Sequence, residues 1–300
     1  MIGLIFSHTV CDGLGAAQFL NAVGELARGL DKLSVQPVWC RDFFVTTPPP
    51  QPPTNAKSPP PLLPPMPQPS YKLEQANVDI SMDQINKLKR EFQEETGQRC
   101  SSFEIVAASF WSCRTKAIVF SSSSASDADE SLAKFVFFAN CRQLLEPPLP
   151  KGFYGNCFFP VTVTAPKQRV AQAPLSEVVR LIQKAKAALP KEFSKYRNNK
   201  SRASANDDGG EGEEEEEDPF LPPLSYDTLF VSEWGRLGFN EVDVGWGPPV
   251  QIVPIQGSPV IPAGIVGWQT APKYGIRLMT WCVQLQHRHR FLHLLSQLTN

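Results

Sequence analysis

The chain has 300 residues, 42% of them hydrophobic and 20% charged, with a formal net charge of -1. That is enough apolar material for one large core or two of ordinary size, and the balanced charge gives no basic field to attract nucleic acid or an anionic membrane surface. The seven cysteines, at 11, 40, 100, 113, 141, 157 and 282, include no Cys-x-x-Cys pair, so they imply neither a disulfide framework nor a zinc cage and fit a reducing compartment.

The opening Met1 to Phe6 lacks a basic leader and the length of a signal peptide. With no apolar run near the ~20 residues of a membrane-spanning helix, the expected location is the cytoplasm. Ile2 to Ser7 reads as a buried strand, ended by a Gly-containing turn at His8 to Gly13. From Leu14 the period changes, and Leu14, Ala17, Leu20, Val23, Ala27 and Leu30 recur at helical spacing, with Gly29 and Asp31 as stop signals. A domain seldom opens with a core strand at its first residues and its most reactive-looking histidine directly after, so further sequence is expected ahead of Met1.

Between Pro48 and Pro69 stand 12 of the 29 prolines; they fix φ and remove amide donors, which marks a linker. A second block starts near Tyr71, with a strand at Ala76 to Ile80 and a helix after Ser81 whose Ile85, Leu88 and Phe92 share a face. Ser101 to Lys116 is the clearest helix, with Ser101 or Ser102 as N-cap, Glu104 near the third position and an apolar stripe through Phe103, Val106, Ala107, Phe110 and Trp111. Strands follow at Phe135 to Ala139 and Cys157 to Thr164, and an amphipathic helix at Ser176 to Leu189 is expected to stop at Pro190. From Asn206 to Asp218 nine of thirteen residues are acidic and three are glycine, a self-repelling run expected to stay solvated and disordered. Leu229 to Cys282 alternates apolar runs with Gly and Pro turns, as mixed or antiparallel sheet does, and Arg290 to Leu298 forms a last helix.

His8 and Asp12 are the first pair to consider for chemistry. A histidine near its unperturbed pKa of ~6.5, held rigidly after a strand, can take a proton from a hydroxyl or amine as that group attacks a carbonyl. The pattern His-x-x-x-Asp-Gly is short, and a merely packed or surface histidine is the rival reading. A metal site would need a further ligand, while His287, His289 and His293 lie in a basic terminal segment expected to be exposed. Cys11 beside His8 has no evident path to in-line attack and reads as a packing residue. Gly13 and Gly15 lack the third glycine and the lysine of nucleotide loops.

Several stretches in one order resemble the BAHD acyltransferases of plant specialised metabolism. His8-Thr9-Val10-Cys11-Asp12-Gly13 is similar to the family's His-x-x-x-Asp-Gly, and Asp243-Val244-Gly245-Trp246-Gly247 resembles its Asp-Phe-Gly-Trp-Gly, with Val244 in place of phenylalanine. Between them, Ser102-Phe103-Glu104 leading to Trp111 and Arg114, then Asn140-Cys141-Arg142, then Tyr154-Gly155-Asn156, look like family landmarks.

The resemblance implies a chloramphenicol-acetyltransferase-like α/β fold of two domains, with most of the first missing here. Residues 1–40 would be the end of that domain, 41–72 a Pro-rich crossover, and 73–300 the second domain with a disordered acidic insertion at about 198–219. It implies His8 as the base for direct attack of an alcohol or amine of a small plant metabolite on an acyl-CoA thioester. The acyl-CoA is a co-substrate, with no bound cofactor and no metal, in a monomer. Asp12 is implied to be structural and paired with Arg142, Ser232 and Trp234 to lie near the acceptor and the developing oxyanion, and Ser101 or Ser102 to contact CoA. Asp243, Gly245, Trp246 and Gly247 are implied to form a structural motif remote from the channel, where Val244 changes packing. The alternative is an inactive truncated remnant, or an incomplete gene model, of such an enzyme.

Overall fold

The computed structural model describes residues 1–40, 71–121, 131–205, 218–221, 224–257, 260–269 and 274–299. The proline tract and all of the acidic run except Asp218 lie outside the described residues. Six strands form one mixed sheet: β1 (Glu74–Ser81), β2 (Leu132–Asn140), β3 (Phe158–Pro166), β4 (Thr228–Glu233), β5 (Ala263–Gln269) and β6 (Gly275–Val283). Their order is β1-β6-β5-β4-β2-β3. The central pairs β5–β4 and β4–β2 are parallel, and the flanking pairs are antiparallel.

The helices are α1 (Gly13–Ala27), α2 (Met82–Thr96), α3 (Ser102–Val119), α4 (Lys167–Gln172), α5 (Leu175–Ala205) and α6 (Leu285–Thr299). The central one is α3, buried on nearly all sides because its stripe of Phe103, Phe110 and Trp111 meets the sheet while α2, α4, α5 and α6 surround the rest. It starts with a reciprocal capping box: Glu104 N–H donates to Ser101 Oγ at 3.2 Å and Ser101 N–H to Glu104 Oε2 at 2.9 Å. Phe135 stacks tilted on Trp111, and Phe137 on Phe103, so odd-numbered β2 residues face the helices. Val231 and Gly264 continue that face by register, and a Cβ on Gly264 would lie 2.3 Å from the Phe110 ring. Among the described residues no helix is long and apolar enough to cross a membrane.

Four expectations fail. Residues 1–7 form no strand, and Ile2, Ile5 and Phe6 are exposed, because no strand among the described residues lies alongside to complete their ladder. In α1 the buried face is Gly15, Ala16, Ala17 and Gly24, whereas Phe19, Val23 and Leu26 are exposed. Its small residues let neighbouring backbone approach, which the apolar period does not reveal. Pro190 lies inside α5. Beyond it Phe193 and Tyr196 still pack on Phe159, at ring distances of 5.7 and 5.6 Å, and this tertiary contact outweighs the lost amide donor. Finally α6 starts at Leu285, and His287 is buried.

His287 belongs to a cluster that ties α6 and α3 to the entry of β4. Arg114 is buried; its Nε donates to Cys282 O at 2.8 Å, its Nη2 bonds Tyr226 O, and its guanidinium lies 5.0 Å from the centre of the Tyr226 ring. The Tyr226 hydroxyl accepts the Gln284 N–H at 3.0 Å and lies 2.9 Å from His287 Nδ1. Burial, and then the Arg114 charge, hold the His287 imidazole below its usual range. A depressed histidine pKa means the unfolded chain takes up the proton first. The stability contribution is therefore whole above the unfolded value of ~6.5 and is lost as pH falls below it. The thermal midpoint should drop between pH 7 and pH 5, and His287→Gln should flatten that part of the curve; identical slopes in both proteins would refute the assignment.

Candidate active site

The turn Ser7 to Val10, closed by Val10 N–H to Ser7 O at 3.0 Å, presents His8 with its side chain exposed. Asp12 follows as the N-cap of α1, and its carboxylate is buried. Oδ1 accepts Gly15 N–H at 3.1 Å and Arg142 Nη2 at 2.8 Å, and Oδ2 accepts Cys157 N–H at 3.1 Å. Asp12 thus spends its acceptor capacity on the scaffold: it satisfies an orphan amide of α1, neutralises a buried guanidinium and holds the entry of β3.

Arg142 is as fully engaged. Nε donates to Phe153 O at 3.2 Å, Nη1 to Asn140 Oδ1 at 3.2 Å and Cys157 O at 3.4 Å, and Nη2 to Gly155 O at 2.7 Å besides Asp12. All five N–H donors of the guanidinium are placed. The loop from Phe153 to Cys157 wraps this cation and then returns to the turn: Asn156 Nδ2 donates to His8 O at 2.8 Å. A Cβ on Gly15 would lie 2.0 Å from Tyr154 O, so the first turn of α1 can approach the loop only as glycine.

His8 sits over the sheet face opposite the helices. Its ring meets Phe158 edge-on at 6.2 Å, and Phe158 meets Phe138 at 5.6 Å. Phe138 and Phe158 share one face by the β2–β3 register, and continuing the β2–β4 register places Ser232 on that face too. Two strand spacings and a two-residue offset put Phe158 and Ser232 about 12 Å apart there. Trp234 follows β4, its main-chain N–H donating to Val266 O at 2.9 Å and its ring tilted on Phe239 at 5.7 Å. Glu233 points to the helix side; burial raises its carboxyl pKa, opposed by Arg236 and Lys186.

Ser101 and Ser102 stand at the start of α3, where Ser101 Oγ is occupied by the capping box. Burial pushes Glu104 up, but bonds from Lys186 and from Ser101 N–H outweigh it and hold the carboxyl below its usual range. Asp243 lies at the other end of α1. Its Oδ1 accepts Gly245 and Gly247 N–H, each at 2.8 Å, and Arg28 Nη1 bonds its carbonyl. The Gly245 amide, joined by that of Gly247 and by the Arg28 charge, keeps this carboxyl below its usual range. Gly245 and Gly247 have φ of +103° and +85°, the left-handed region that glycine permits. A Cβ on Gly24 would lie 2.4 Å from Asp243 O, so the segment docks directly on the helix. Trp246 is exposed.

The structure therefore brings His8, Asp12, Arg142 and Asn156 together, with Ser232 on the same sheet face. It leaves Ser101 in the cap of α3 and Ser102 in its first turn, and sets Asp243 to Gly247 on the far end of α1. Arg28 and the Asn156–His8 bond have no local sequence signal, because each joins residues far apart in the chain. Burial pushes the nearby Cys141 and Cys157 thiols up to about 12 and about 11, which keeps them protonated and unsuited to nucleophilic attack.

A mixed sheet with helices on one face and a histidine turn braced on the other defines an α/β fold of the chloramphenicol-acetyltransferase type. The Transferase family model matches residues 1–259, and the chain belongs to that family, the plant BAHD acyltransferases. Among curated relatives, acyl transferase 4 of Oryza sativa subsp. japonica is 40% identical over 97% of this chain and 62% of its own length. Myricetin 3-O-glucosyl 1,2-rhamnoside 6'-O-caffeoyltransferase AT2 of Crocosmia x crocosmiiflora is 35% identical over 95% of this chain and 62% of its own. 3'-N-debenzoyl-2'-deoxytaxol N-benzoyltransferase of Taxus canadensis is 34% identical over 85% and 52%. Vinorine synthase shares the fold at TM-score 0.65 and 18% identity, over 97% of this chain and 61% of that structure. The chain thus spans about three fifths of the length of the relatives it matches.

Replacing Arg142 by Ala would leave the Asp12 carboxylate buried and unpaired, at a cost of about 3–5 kcal/mol. Urea unfolding should show that loss. A loss below about 1 kcal/mol would mean that the pair does not brace the turn.

Proposed function

We propose that the chain carries the base of an acyl transfer from acyl-CoA to a hydroxyl or amine of a small plant metabolite. The observation that carries the reading is the braced turn: His8 is exposed on backbone that Asp12, Arg142 and Asn156 hold from below. The His8 imidazole takes the proton of the acceptor's O–H or N–H as the oxygen or nitrogen bonds to the thioester carbonyl carbon. The tetrahedral intermediate then collapses, the C–S bond breaks, and the imidazolium returns the proton to the departing CoA thiolate. No acyl-enzyme is required. Placing both substrates on one rigid face supplies much of the acceleration.

Ser232 and Trp234 each carry a hydrogen-bond donor and are proposed to face the acceptor and the developing oxyanion. Asp12 and Arg142 support the turn. Ser101 or Ser102 is assigned to CoA contact, and for Ser101 that contact would compete with its cap. In this reading residues 1–40 close a first domain, 41–72 cross over, and 73–300 form a second, in a cytoplasmic monomer. Relatives named for caffeoyl, benzoyl and acetyl transfer, to oxygen or to nitrogen, support the reaction class and leave donor and acceptor open.

The test is release of free CoA from a panel of acyl-CoAs with alcohol and amine acceptors. The chain is assayed both alone and within the longest open reading frame that contains it. His8→Ala should lower kcat by about 10²–10⁴-fold, the usual contribution of a general base, while acyl-CoA binding by calorimetry stays unchanged. Turnover that survives the substitution would rule out His8 as the base.

A further inference from the structure

Asn156 is joined to His8 by one end of its carboxamide only. Nδ2 donates to the His8 carbonyl, whereas Oδ1 is buried and has no hydrogen-bond partner among the described residues. A buried acceptor without a donor opposes folding. Among the described residues the carboxamide thus makes one hydrogen bond and leaves one acceptor unmatched, so its contribution to stability is small and the bond to His8 is what the side chain supplies.

The position of Asn156 in the loop gives that bond a role. Its neighbours on both sides are committed to the clamp: Gly155 O accepts Arg142 Nη2, Cys157 N–H donates to Asp12 Oδ2, and Cys157 O accepts Arg142 Nη1. Asn156 alone in that stretch reaches outward, and what it reaches is the peptide of His8. A carbonyl accepts and does not donate, so the partner must be a donor. The amide nitrogen serves where a carboxylate of the same shape would repel the carbonyl.

We propose that Asn156 is a positioning residue for acyl transfer, transmitting the rigidity of the Asp12–Arg142 clamp to the backbone of the base. The inference rests on His8 as that base. Asn156 touches no reacting atom; it sets the orientation from which the imidazole works, and its loss spreads His8 over many orientations.

Two variants and two kinds of readout test it in the protein form that shows turnover. Asn156→Ala removes both ends of the carboxamide. The expected result is an unchanged or higher urea midpoint, kcat at least tenfold lower, and KM for acyl-CoA within twofold of the starting protein. Asn156→Asp keeps the shape without the donor; it should lose kcat to a similar degree, and its negative charge beside His8 should move the acid limb of the kcat/KM profile to higher pH. Independently of activity, 15N relaxation should show the His8 amide less ordered in Asn156→Ala. Wild-type kcat in either variant, an activity loss carried by KM, or an unaltered His8 amide would overturn the proposal. His8→Ala assayed alongside separates the two readings. If that variant keeps turnover the base assignment falls, and if it is silent while the Asn156 variants match the starting protein, only the positioning role falls.

Discussion

The buried pair between Asp12 and Arg142 is the contact on which the rest of the candidate site depends. Two opposite charges withdrawn from water are costly unless each also fills its remaining hydrogen bonds. Here both do. Asp12 accepts from a helix amide and a strand amide as well as from the guanidinium, and Arg142 places its other donors on three main-chain carbonyls and Asn140. One ion pair thereby fixes three elements at once: the start of α1, the loop before β3 and the end of β2.

From that point α1 acts as a rod pinned at both ends. Its first turn meets the Tyr154 carbonyl at Gly15, and its last meets the Asp243 carbonyl at Gly24. Along its length Asn21 Nδ2 donates to Gly238 O at 2.9 Å, so the segment after β4 is carried on the same helix. The turn with His8 and the stretch with Ser232 and Trp234 are therefore held to one body. Their separation is set by strand spacing and helix length, quantities that single side-chain changes alter little.

Local chemistry is where the sequence is most readable. The capping box at Ser101 and Glu104 involves neighbours in the chain, and β1 to β3 and α2 show the period of their buried faces. Reading fails where a long-range partner decides. Ile2 to Ser7 has the composition of a strand but finds no ladder. Pro190 has the signature of a stop, which Phe193 and Tyr196 override by packing on Phe159. The α1 face is misread because Gly15 and Gly24 matter for the space they leave, and hydropathy does not register absent atoms. His287 looks like a surface histidine until Tyr226 and Arg114 enclose it. Asp12 and Arg142 stand 130 residues apart, and only the resemblance of whole motifs joins them; Asn156 and His8 also stand in such motifs, but the resemblance does not imply the bond between them.

Three of the oxygens that Arg142 holds, at Phe153, Gly155 and Cys157, belong to the main chain. A carbonyl is common to every amino acid. Cys157 can therefore exchange its side chain for one of similar size and still present the same oxygen, so long as the backbone keeps its path, whereas Phe153 is buried and its ring also lies 5.7 Å from the guanidinium. Gly155 has less latitude, since an added Cβ would meet the Phe153 ring at 2.7 Å. Divergence in this loop should accordingly accumulate unevenly: lax where a residue lends only its peptide, strict at Arg142 and Asp12, whose side chains do the holding. Chains of this fold can thus differ where a loop residue lends only its peptide while the frame behind the histidine stays the same.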